Sequence, residues 1–468
     1  MKIELENLGV LKKAEFELGE LTLICGGNNT GKTYATYALF GFLSHWRRHI
    51  KAGVPDSTIQ ELLQELLSDG VTRLDVVSFA KEARHILRKG CEEFTRQLPR
   101  IFASKSGRFN NTRFQVFVET EKLSSIKNHA FEHTMRSADD DLISLSKAGG
   151  ENEVVVSLLM EKQKGGLPES LIEEVISDGI VELTFGQFFP SPFIASTERT
   201  GAAIFRKELN FARNRLLEDM NRVDRDINPM ELMSKSYQDY PLPVKDNVDF
   251  IGQLEEVAKR NSYLVENHPH ILDDFVDIIG GEYVAGNNDT IYFKPVRGQL
   301  KLTMDESSSA VRSLLDIGFY LRHVAKPGDL LMVDEPELNL HPENQRRIAR
   351  LFARLVNLGI RVFVTTHSDY IVKELNTLIM LNHDKPYLKK IAEREGYSCE
   401  EFLSAGKIRV YVAQKALMNL EGRRRRSRHP SLVPASIDPD LGIEVSSFDE
   451  TINKMNEIQD AIVWGGDE

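Results

Sequence analysis

Residues 26–33 have the composition and spacing of a loop that binds phosphate. They read Gly-Gly-Asn-Asn-Thr-Gly-Lys-Thr and match the pattern G-x-x-x-x-G-K-[ST]. Glycines let successive backbone N–H groups turn toward phosphate oxygens, and a helix that follows presents its positive N-terminus to the same anion. We expect Lys32 to reach the β- and γ-phosphates and the Thr33 hydroxyl to ligate Mg²⁺. The candidate nucleotide contacts are Gly26, Asn28, Asn29, Thr30, Gly31, Lys32 and Thr33.

A second set of reactive residues lies far downstream. Asp334 and Glu335 follow the apolar run Leu330–Val333, and His367 follows a second apolar run that ends in Thr365-Thr366. A nucleotide-hydrolysing site needs a carboxylate for Mg²⁺, which we assign to Asp334, and a general base for the attacking water, which we assign to Glu335. His367 is expected to approach the γ-phosphate as a donor.

These residues must be brought together by a sheet. The run 21–25 is apolar throughout, as is typical of a strand buried on both faces of a parallel sheet, and a helix is predicted from 33 to about 50. Strands at 330–333 and 362–365 flank a helix predicted at about 342–358. Lys32 and Asp334 are 302 residues apart, so an insertion must separate the two half-sites.

The rest of the chain predicts further elements. Helical patterns cover 57–101, 205–225, 248–279 and 448–462, and strand patterns cover 113–119, 153–159, 181–185, 408–412 and 443–445. Residues 134–150 are polar and predict a loop or linker. The predicted organisation is an N-terminal part of one α/β head (1–204), a helical insertion (205–284) and a C-terminal part with an extension (285–468).

Composition limits the function classes. The chain has 468 residues, 41% hydrophobic and 28% charged, and a net charge of −11, which argues against a uniformly basic DNA-coating protein. Residues 151–300 contain 15 Lys/Arg and 26 Asp/Glu and so account for the whole net charge. Three scattered cysteines favour the reducing cytoplasm, and no apolar run predicts a membrane helix or a signal peptide.

The motifs in this order resemble the ABC-type ATPase heads of the SMC/RecF/OLD group. Gly26–Thr33 is similar to that group's phosphate loop, Val333–Glu337 to its Walker B segment, Asn339–Pro342 to its D-loop and His367 to its switch histidine. The resemblance covers 1–50 and 290–381. It implies an α/β fold of the ABC-type P-loop ATPase head, ATP and Mg²⁺ as ligands, and a head-to-head dimer, or a higher oligomer of dimers, around ATP.

Two segments leave alternatives open. Ser307, Ser308 and Ser309 stand where the group's Ser-Gly-Gly signature would grip the partner's γ-phosphate, yet without glycines they also fit a simple helix cap. Glu198 and Arg199 could order the site or form a surface ion pair. A glutamine that corresponds to the Q-loop of this group is not identifiable, with Gln115 and Gln187 as candidates.

The resemblance extends to the ATPase subunits of two-gene phage-defence systems, PtuA of Septu or AriA of PARIS. It implies a sensor or regulatory scaffold for a separate effector nuclease, because no nuclease motif is found in the chain. The alternatives are a RecF-like DNA-repair ATPase that binds duplex DNA and a scaffold that binds ATP without hydrolysis. The strongest case for nucleic acid is a basic run predicted to lie in an exposed loop, Arg423, Arg424, Arg425, Arg426 and Arg428.

Overall fold

The computed structural model describes residues 1–119, 128, 130–136, 141–159, 168–206, 208, 240–286, 290–419, 426–443 and 454–462. The chain forms two compact units. The first comprises Met1–Glu6, Gly41–Leu98 and Phe109–Pro190, and the second comprises Asn7–Phe40, Pro99–Arg108 and Ser191–Glu468. None of the helices formed by the described residues is long and apolar enough to cross a membrane.

The secondary structure alternates between strands and helices. The strands are β1 (Lys2–Leu8), β2 (Leu11–Glu17), β3 (Leu21–Cys25), β4 (Val71–Asp75), β5 (Arg113–Phe117), β6 (Phe131–Arg136), β7 (Asp141–Lys147), β8 (Glu153–Leu158), β9 (Pro192–Ala195), β10 (Gly281–Ala285), β11 (Ile291–Pro295), β12 (Leu302–Thr303), β13 (Leu330–Asp334), β14 (Arg361–Thr366), β15 (Ile408–Met418), β16 (Ser427–Pro434), β17 (Ile437–Asp438) and β18 (Gly442–Ile443). The α-helices are α1 (Lys32–Lys51), α2 (Asp56–Asp69), α3 (Val76–Ile101), α4 (Glu169–Phe185), α5 (Arg199–Ile204), α6 (Leu242–Gly252), α7 (Leu254–Val257), α8 (Tyr263–Asn267), α9 (His270–Ile279), α10 (Ser309–Ser313), α11 (Leu315–His323), α12 (Pro342–Asn357), α13 (Asp369–Leu381) and α14 (Pro386–Glu395).

The second unit is built on a six-stranded sheet in the order β16-β15-β3-β14-β13-β9. Five of these strands are parallel, and β16 runs antiparallel at the edge. Every residue of β3 and of β13 is buried, because a parallel sheet is covered on both faces. The predicted strands at 21–25, 330–333 and 362–365 are confirmed, and their carboxyl ends meet at one edge of the sheet.

Helices between the two motif-bearing halves complete this unit. The helices α6 to α9 bury Ile251, Leu254, Leu264 and Ile271 in the same apolar core as the central strands. The antiparallel sheet β10-β11-β12 follows them and leads into α10. This arrangement confirms the predicted fold class, an α/β ABC-type P-loop ATPase head with a helical insertion between its halves. The predicted domain boundaries at 204/205 and 284/285 stay predictions.

The first unit has an antiparallel sheet in the order β4-β8-β7-β6 and an aromatic core. The Phe42 ring lies 5.5 Å from that of Phe94 and 5.4 Å from that of Phe189, and Phe94 lies 4.6 Å from Phe114. Aromatic pairs at these centroid distances add about 0.5–1.5 kcal/mol each beyond their burial. In this unit β1 also pairs with β5.

Two predictions in the N-terminal half were wrong. Residues 181–185 form the last turns of α4 instead of a strand, because a short buried apolar run has the same composition in either element. Residues 134–150 contain β7 and the end of β6 instead of a loop, since their polar residues alternate with the buried Ile143 and Leu145. The stretch 57–101, predicted to be largely helical, is confirmed as α2 and α3 with β4 between them.

The predictions for the C-terminal part of the chain have mixed outcomes. The strand predicted at 408–412 is confirmed and runs on to Met418, and residues 454–462 of the predicted final helix are helical. The loop predicted for the basic run was wrong for Arg428, which lies in β16 because its backbone pairs with Leu417 of β15. Arg423, Arg424 and Arg425 lie outside the described residues, as do 448–453 and nearly all of the helix predicted at 205–225.

A buried histidine of the first unit makes stability depend on pH. His49 is 5% exposed, its Nε2 has no hydrogen-bond partner among the described residues, and burial lowers its pKa to about 4. Between pH 6.5 and 4 the unfolded chain binds this proton and the folded chain does not, so stability falls as pH falls through that window. We expect His49 to account for a loss of about 3 kcal/mol in the free energy of unfolding.

Urea denaturation at several pH values checks this prediction. His49→Phe should lose less stability than the wild type between pH 7 and 4, whereas His85→Gln, at an exposed histidine of α3, should follow the wild type. Parallel stability curves for His49→Phe and the wild type would contradict the assignment.

Candidate functional site

The loop between β3 and α1 has a backbone that only particular residues can adopt. Gly26 has φ of +136° and Gly31 has φ of +102°, and a Cβ atom on Gly26 would lie 2.7 Å from the carbonyl oxygen of Ala413. Asn29 has φ of +60°, which asparagine tolerates better than most residues. Asn28, Asn29 and Thr33 are exposed, and the Thr30 hydroxyl donates to the Gly27 carbonyl at 2.8 Å.

Lys32 lies at the first position of α1 with its side chain folded back over this loop. The residue is 6% exposed, and its Nζ donates to the carbonyl oxygens of Gly26 at 3.0 Å and of Gly27 at 2.9 Å. Burial lowers the pKa of Lys32, and the negative charges of Glu335 and Asp334 oppose that effect. The ammonium group is therefore held over the loop by acceptors that a phosphate can replace.

Asp334 is the last residue of β13, and among the described residues only one of its two carboxylate oxygens has a hydrogen-bond partner. The residue is 1% exposed, and the Thr365 hydroxyl of β14 donates to Oδ1. Oδ2 is buried and has no hydrogen-bond partner among the described residues. Burial, with the charge of Glu335, raises the pKa of Asp334 to about 6. A buried carboxylate oxygen without a donor is a suitable ligand for a divalent cation.

Glu335 has an uncommon backbone conformation that is held on both sides. Its φ is +52°, which costs about 1–3 kcal/mol for a residue other than glycine. Its N–H donates to the Thr365 carbonyl at 3.1 Å, and its own carbonyl accepts from Arg199 at 2.7 Å. This conformation directs the side chain to His367, whose Nε2 lies 3.0 Å from Oε1.

One ring nitrogen of His367 contacts both half-sites. Its Nε2 lies 2.9 Å from Nζ of Lys32 as well as 3.0 Å from the Glu335 carboxylate. A ring nitrogen either accepts from the ammonium group or carries a proton and donates to the carboxylate, and it does not do both at once. The protonation of this single atom therefore decides whether His367 is bonded to the phosphate loop or to Glu335.

Two side chains without a predicted role fix the loop that carries His367. The half-buried Glu337 carboxylate accepts from the backbone N–H of His367 at 2.6 Å and from the Thr366 hydroxyl at 2.9 Å. Gln345 donates to the Leu340 carbonyl at 2.9 Å and accepts from the Ser368 hydroxyl at 2.6 Å. The acidic residue two positions after Glu335 was visible in the sequence, but the partner loop it binds was not.

The three candidate serines have different environments. Ser307 is 5% exposed and its hydroxyl donates to the Thr303 carbonyl at 2.7 Å. Ser308 and Ser309 are exposed, and Ser308 caps α10 by accepting from the Val311 N–H at 3.3 Å. Ser308 therefore has the predicted capping geometry, while Ser309 presents its side chain to solvent at the first position of α10.

Of the two alternatives left open for Arg199, ordering the site or forming a surface ion pair, the surface ion pair is wrong. Arg199 is completely buried, and its guanidinium donates to the backbone carbonyls of Ser313, Asp334 and Glu335. Glu198 is exposed and accepts from the Tyr37 hydroxyl of α1 at 3.3 Å. A sequence gives no sign of which distant carbonyls a lone arginine will meet, so this partnership was not predictable.

Comparison with known proteins identifies one family. The sequence model of the family described as "AAA ATPase domain" matches residues 1–372. No protein with a curated description matches the chain. The solved structures that are similar include the SmcHead bound to the C-winged helix domain of ScpA, at 11% identity and a TM-score of 0.33, covering 93% of this chain and 97% of that one.

Two other similar structures are also SMC heads. The Smc head domain with an extended coiled coil bound to the C-terminal domain of ScpA derived from Pyrococcus furiosus has 13% identity and a TM-score of 0.31, covering 98% of each chain. The SMC head domain from Thermotoga maritima has 12% identity and a TM-score of 0.29, covering 93% of this chain and 98% of that one.

Proposed function

Because this chain belongs to the AAA ATPase domain family, we propose that it binds ATP with Mg²⁺, dimerises head-to-head around the nucleotide and hydrolyses it to control a separate effector. One observation carries the proposal. Lys32, Asp334, Glu335 and His367 come from segments about 300 residues apart and lie at the carboxyl edge of one parallel sheet. Ligands of open α/β sheets bind at that edge.

The phosphate loop supplies the nucleotide contacts. The backbone of Gly26, Asn28, Asn29, Thr30 and Gly31 turns between β3 and α1, where its N–H groups and the helix N-terminus attract phosphate oxygens. Lys32 exchanges its loop carbonyls for the phosphates. These contacts give binding energy and orient the γ-phosphate toward Glu335.

The metal position fits Mg²⁺. This ion is typically held by one or two protein oxygens together with substrate phosphates and waters. Two protein oxygens would hold the Mg²⁺ ion. They are the exposed Thr33 hydroxyl and the Oδ2 of Asp334, which has no hydrogen-bond partner among the described residues. When bound, Mg²⁺ neutralises part of the phosphate charge.

Glu335 and His367 perform the proton chemistry. Glu335 accepts the proton of the attacking water through its carboxylate, and its strained backbone fixes the direction of that side chain. His367 Nε2, already within hydrogen-bond distance of Glu335, carries a proton that can be donated to the γ-phosphate. Lys32 remains on the phosphates throughout, so each group has one role.

The dimer would place the signature serines of one subunit on the nucleotide of the other. Ser308 and Ser309 are exposed and can reach a partner, whereas Ser307 shapes the loop from inside. Arg312 supports that loop by donating to the Ser307 carbonyl at 2.8 Å. Two heads joined in this way enclose two ATP molecules, and a higher oligomer of dimers would use other surfaces.

Assembly in solution tests the proposal. With ATP and Mg²⁺, Glu335→Gln should have twice the 53.1 kDa mass of the monomer by light scattering, since bound ATP is retained. Ser309→Arg added to this variant should return it to a monomer, because the new side chain fills the space needed by the partner's phosphate. Ser404→Arg, at another exposed serine at the start of a short helix, is the matched control and should leave the dimer intact. A monomer for Glu335→Gln at every nucleotide concentration would sink the dimer model.

The effector is proposed to be a nuclease encoded by a neighbouring gene, as in two-gene antiviral defence. The acidic stretch 151–300, with 26 Asp/Glu against 15 Lys/Arg, is the proposed docking region. The product of the adjacent gene should copurify with the tagged Glu335→Gln variant in ATP. An HNH protein would indicate a Septu-like pair and a TOPRIM-like protein a PARIS-like pair. Binding to duplex DNA without a protein partner, lost when Arg423–Arg428 are neutralised, would favour the RecF-like function instead.

A further inference from the structure

Arg199 joins three separate parts of the second unit. Its Nε donates to the carbonyl of Ser313 at the end of α10 at 2.7 Å, and its Nη1 donates to Ser196 at 2.8 Å and to Asp334 at 2.6 Å. Its Nη2 donates to the carbonyl of Glu335 at 2.7 Å. The loop after β9, the helix behind the exposed serines and the end of β13 thus share one guanidinium group.

Those partners are unusual for a fully buried arginine. A buried guanidinium normally pairs with a carboxylate, because an uncompensated charge in the interior is costly. Here all four hydrogen bonds go to neutral carbonyl oxygens, and the Asp316 carboxylate provides the strongest of the negative charges that balance the cation. The hydrogen bonds that offset the cost of burying this guanidinium are therefore bonds that hold backbone carbonyls in place.

Asp316 is itself held in a buried polar chain. The Asn247 side chain of α6 donates to its Oδ2 at 2.7 Å and accepts from the Ser196 hydroxyl at 3.2 Å. The backbone N–H of Ile317 donates to Oδ1 at 2.8 Å. The charge that balances Arg199 is thus fixed by α6 and α11, so the guanidinium has little freedom to shift.

One of the carbonyls that Arg199 bonds belongs to Glu335, the residue with the strained backbone. A residue at φ of +52° returns to a relaxed conformation unless its neighbours prevent it. The N–H of Glu335 is held by the Thr365 carbonyl, and its carbonyl is held by Arg199. Losing the second contact frees the peptide after Glu335 to rotate and moves the carboxylate away from His367.

We propose that Arg199 is a positioning residue that fixes the backbone of Glu335 for water activation and ties it to the position of α10. The inference rests on the proposed function, since it concerns the step that Glu335 performs. Movement of α10, which follows Ser308 directly, pulls on the Ser313 carbonyl and so reaches Glu335 through one side chain. Contact between the serines and a partner's nucleotide thereby sets the geometry of the catalytic base.

Arg199→Lys tests this role most directly. It keeps the positive charge, but a single ammonium group cannot span carbonyls on three elements as a planar guanidinium with five donors does. Arg199→Lys should lower the turnover number by about 10–100-fold, since a shift of about 1 Å at a reacting group can cost that much. The dissociation constant for ATP should stay within about threefold, because Lys32 and the phosphate loop are unchanged.

A double-mutant cycle separates positioning from general damage. Turnover and ATP affinity are measured for the wild type, Arg199→Lys, Glu335→Gln and the double variant. If Arg199 acts through Glu335, Arg199→Lys has no further effect once Glu335 is glutamine. An equal loss in both backgrounds, or unchanged turnover in Arg199→Lys, overturns the inference alone. Wild-type turnover in Glu335→Gln overturns the proposed function and this inference with it.

Two further variants keep the test decisive. Arg361→Lys, at the amino end of β14 and so at the opposite edge of the sheet, is the control and should retain wild-type turnover. If Arg199→Lys does not fold, Asp316→Asn replaces it in the cycle, since it removes the balancing charge at nearly constant shape. Its turnover should then fall severalfold with ATP affinity unchanged, and an unchanged turnover would reject the inference.

Discussion

Replacing Glu335 with glutamine is expected to lower the ATP turnover number by about 10²–10³-fold, the range typical for loss of a general base. Glutamine keeps the length of the side chain and the strained backbone held by Thr365 and Arg199, so the fold should be unaffected. ATP affinity should remain within about twofold, because the phosphate loop is untouched. Phosphate release at saturating ATP and a nucleotide-binding titration measure the two quantities.

The control for this variant is another glutamate near the same loop. Glu343 lies exposed in the first turn of α12 and forms a surface ion pair with Arg346 at 3.1 Å. Glu343→Gln should hydrolyse ATP at the wild-type rate, because exposed pairs contribute little. Glu335→Gln with turnover within threefold of the wild type would mean that another group takes the proton.

Lys32→Met is expected to weaken ATP binding by more than about 100-fold, which corresponds to roughly 3 kcal/mol. The substitution removes the ammonium group that the loop carbonyls and His367 now hold and that the phosphates would attract. Stability should change much less than binding does, since the cost of burying the charge disappears together with its hydrogen bonds. A fluorescent ATP analogue and urea denaturation report the two effects.

Lys389→Met is the matched control for that experiment. Lys389 lies in α14, exposed and paired with Asp384 at 2.6 Å. It should bind ATP as the wild type does. Retention of ATP affinity within threefold by Lys32→Met would remove the phosphate loop from the proposed site.

The sequence predicted the parts of the site whose chemistry is local. A phosphate loop needs its residues in one order within eight positions, so the neighbouring residues were enough to predict Lys32 and Thr33 as part of it. Asp334 and His367 were readable because each follows an apolar strand of the same sheet. The roles assigned to these residues remain proposals, but their convergence was expected from parallel strand order.

Other features depend on contacts that spacing does not encode. Arg199 has the surroundings of a surface residue in sequence, between a glutamate and a threonine, yet it is completely buried. Glu337 binds the backbone of His367, thirty positions away, through geometry that only the turn after β13 creates. The prediction of a strand at 181–185 was wrong for a related reason. A mostly buried segment is apolar throughout, so it lacks the periodicity that distinguishes a helix from a strand.

The position of β3 in its sheet has a consequence for how the protein is made. This strand lies between β14 and β15, and Cys25 just before the phosphate loop bonds the carbonyl of Tyr411, 386 residues later. A nascent chain therefore cannot complete the sheet around the loop until the ribosome has synthesised β15. Pairings between strands so far apart in sequence cost more loop-closure entropy and form slowly. Until translation reaches β15, the buried central strand β3 of the nascent chain lacks one of its two neighbours.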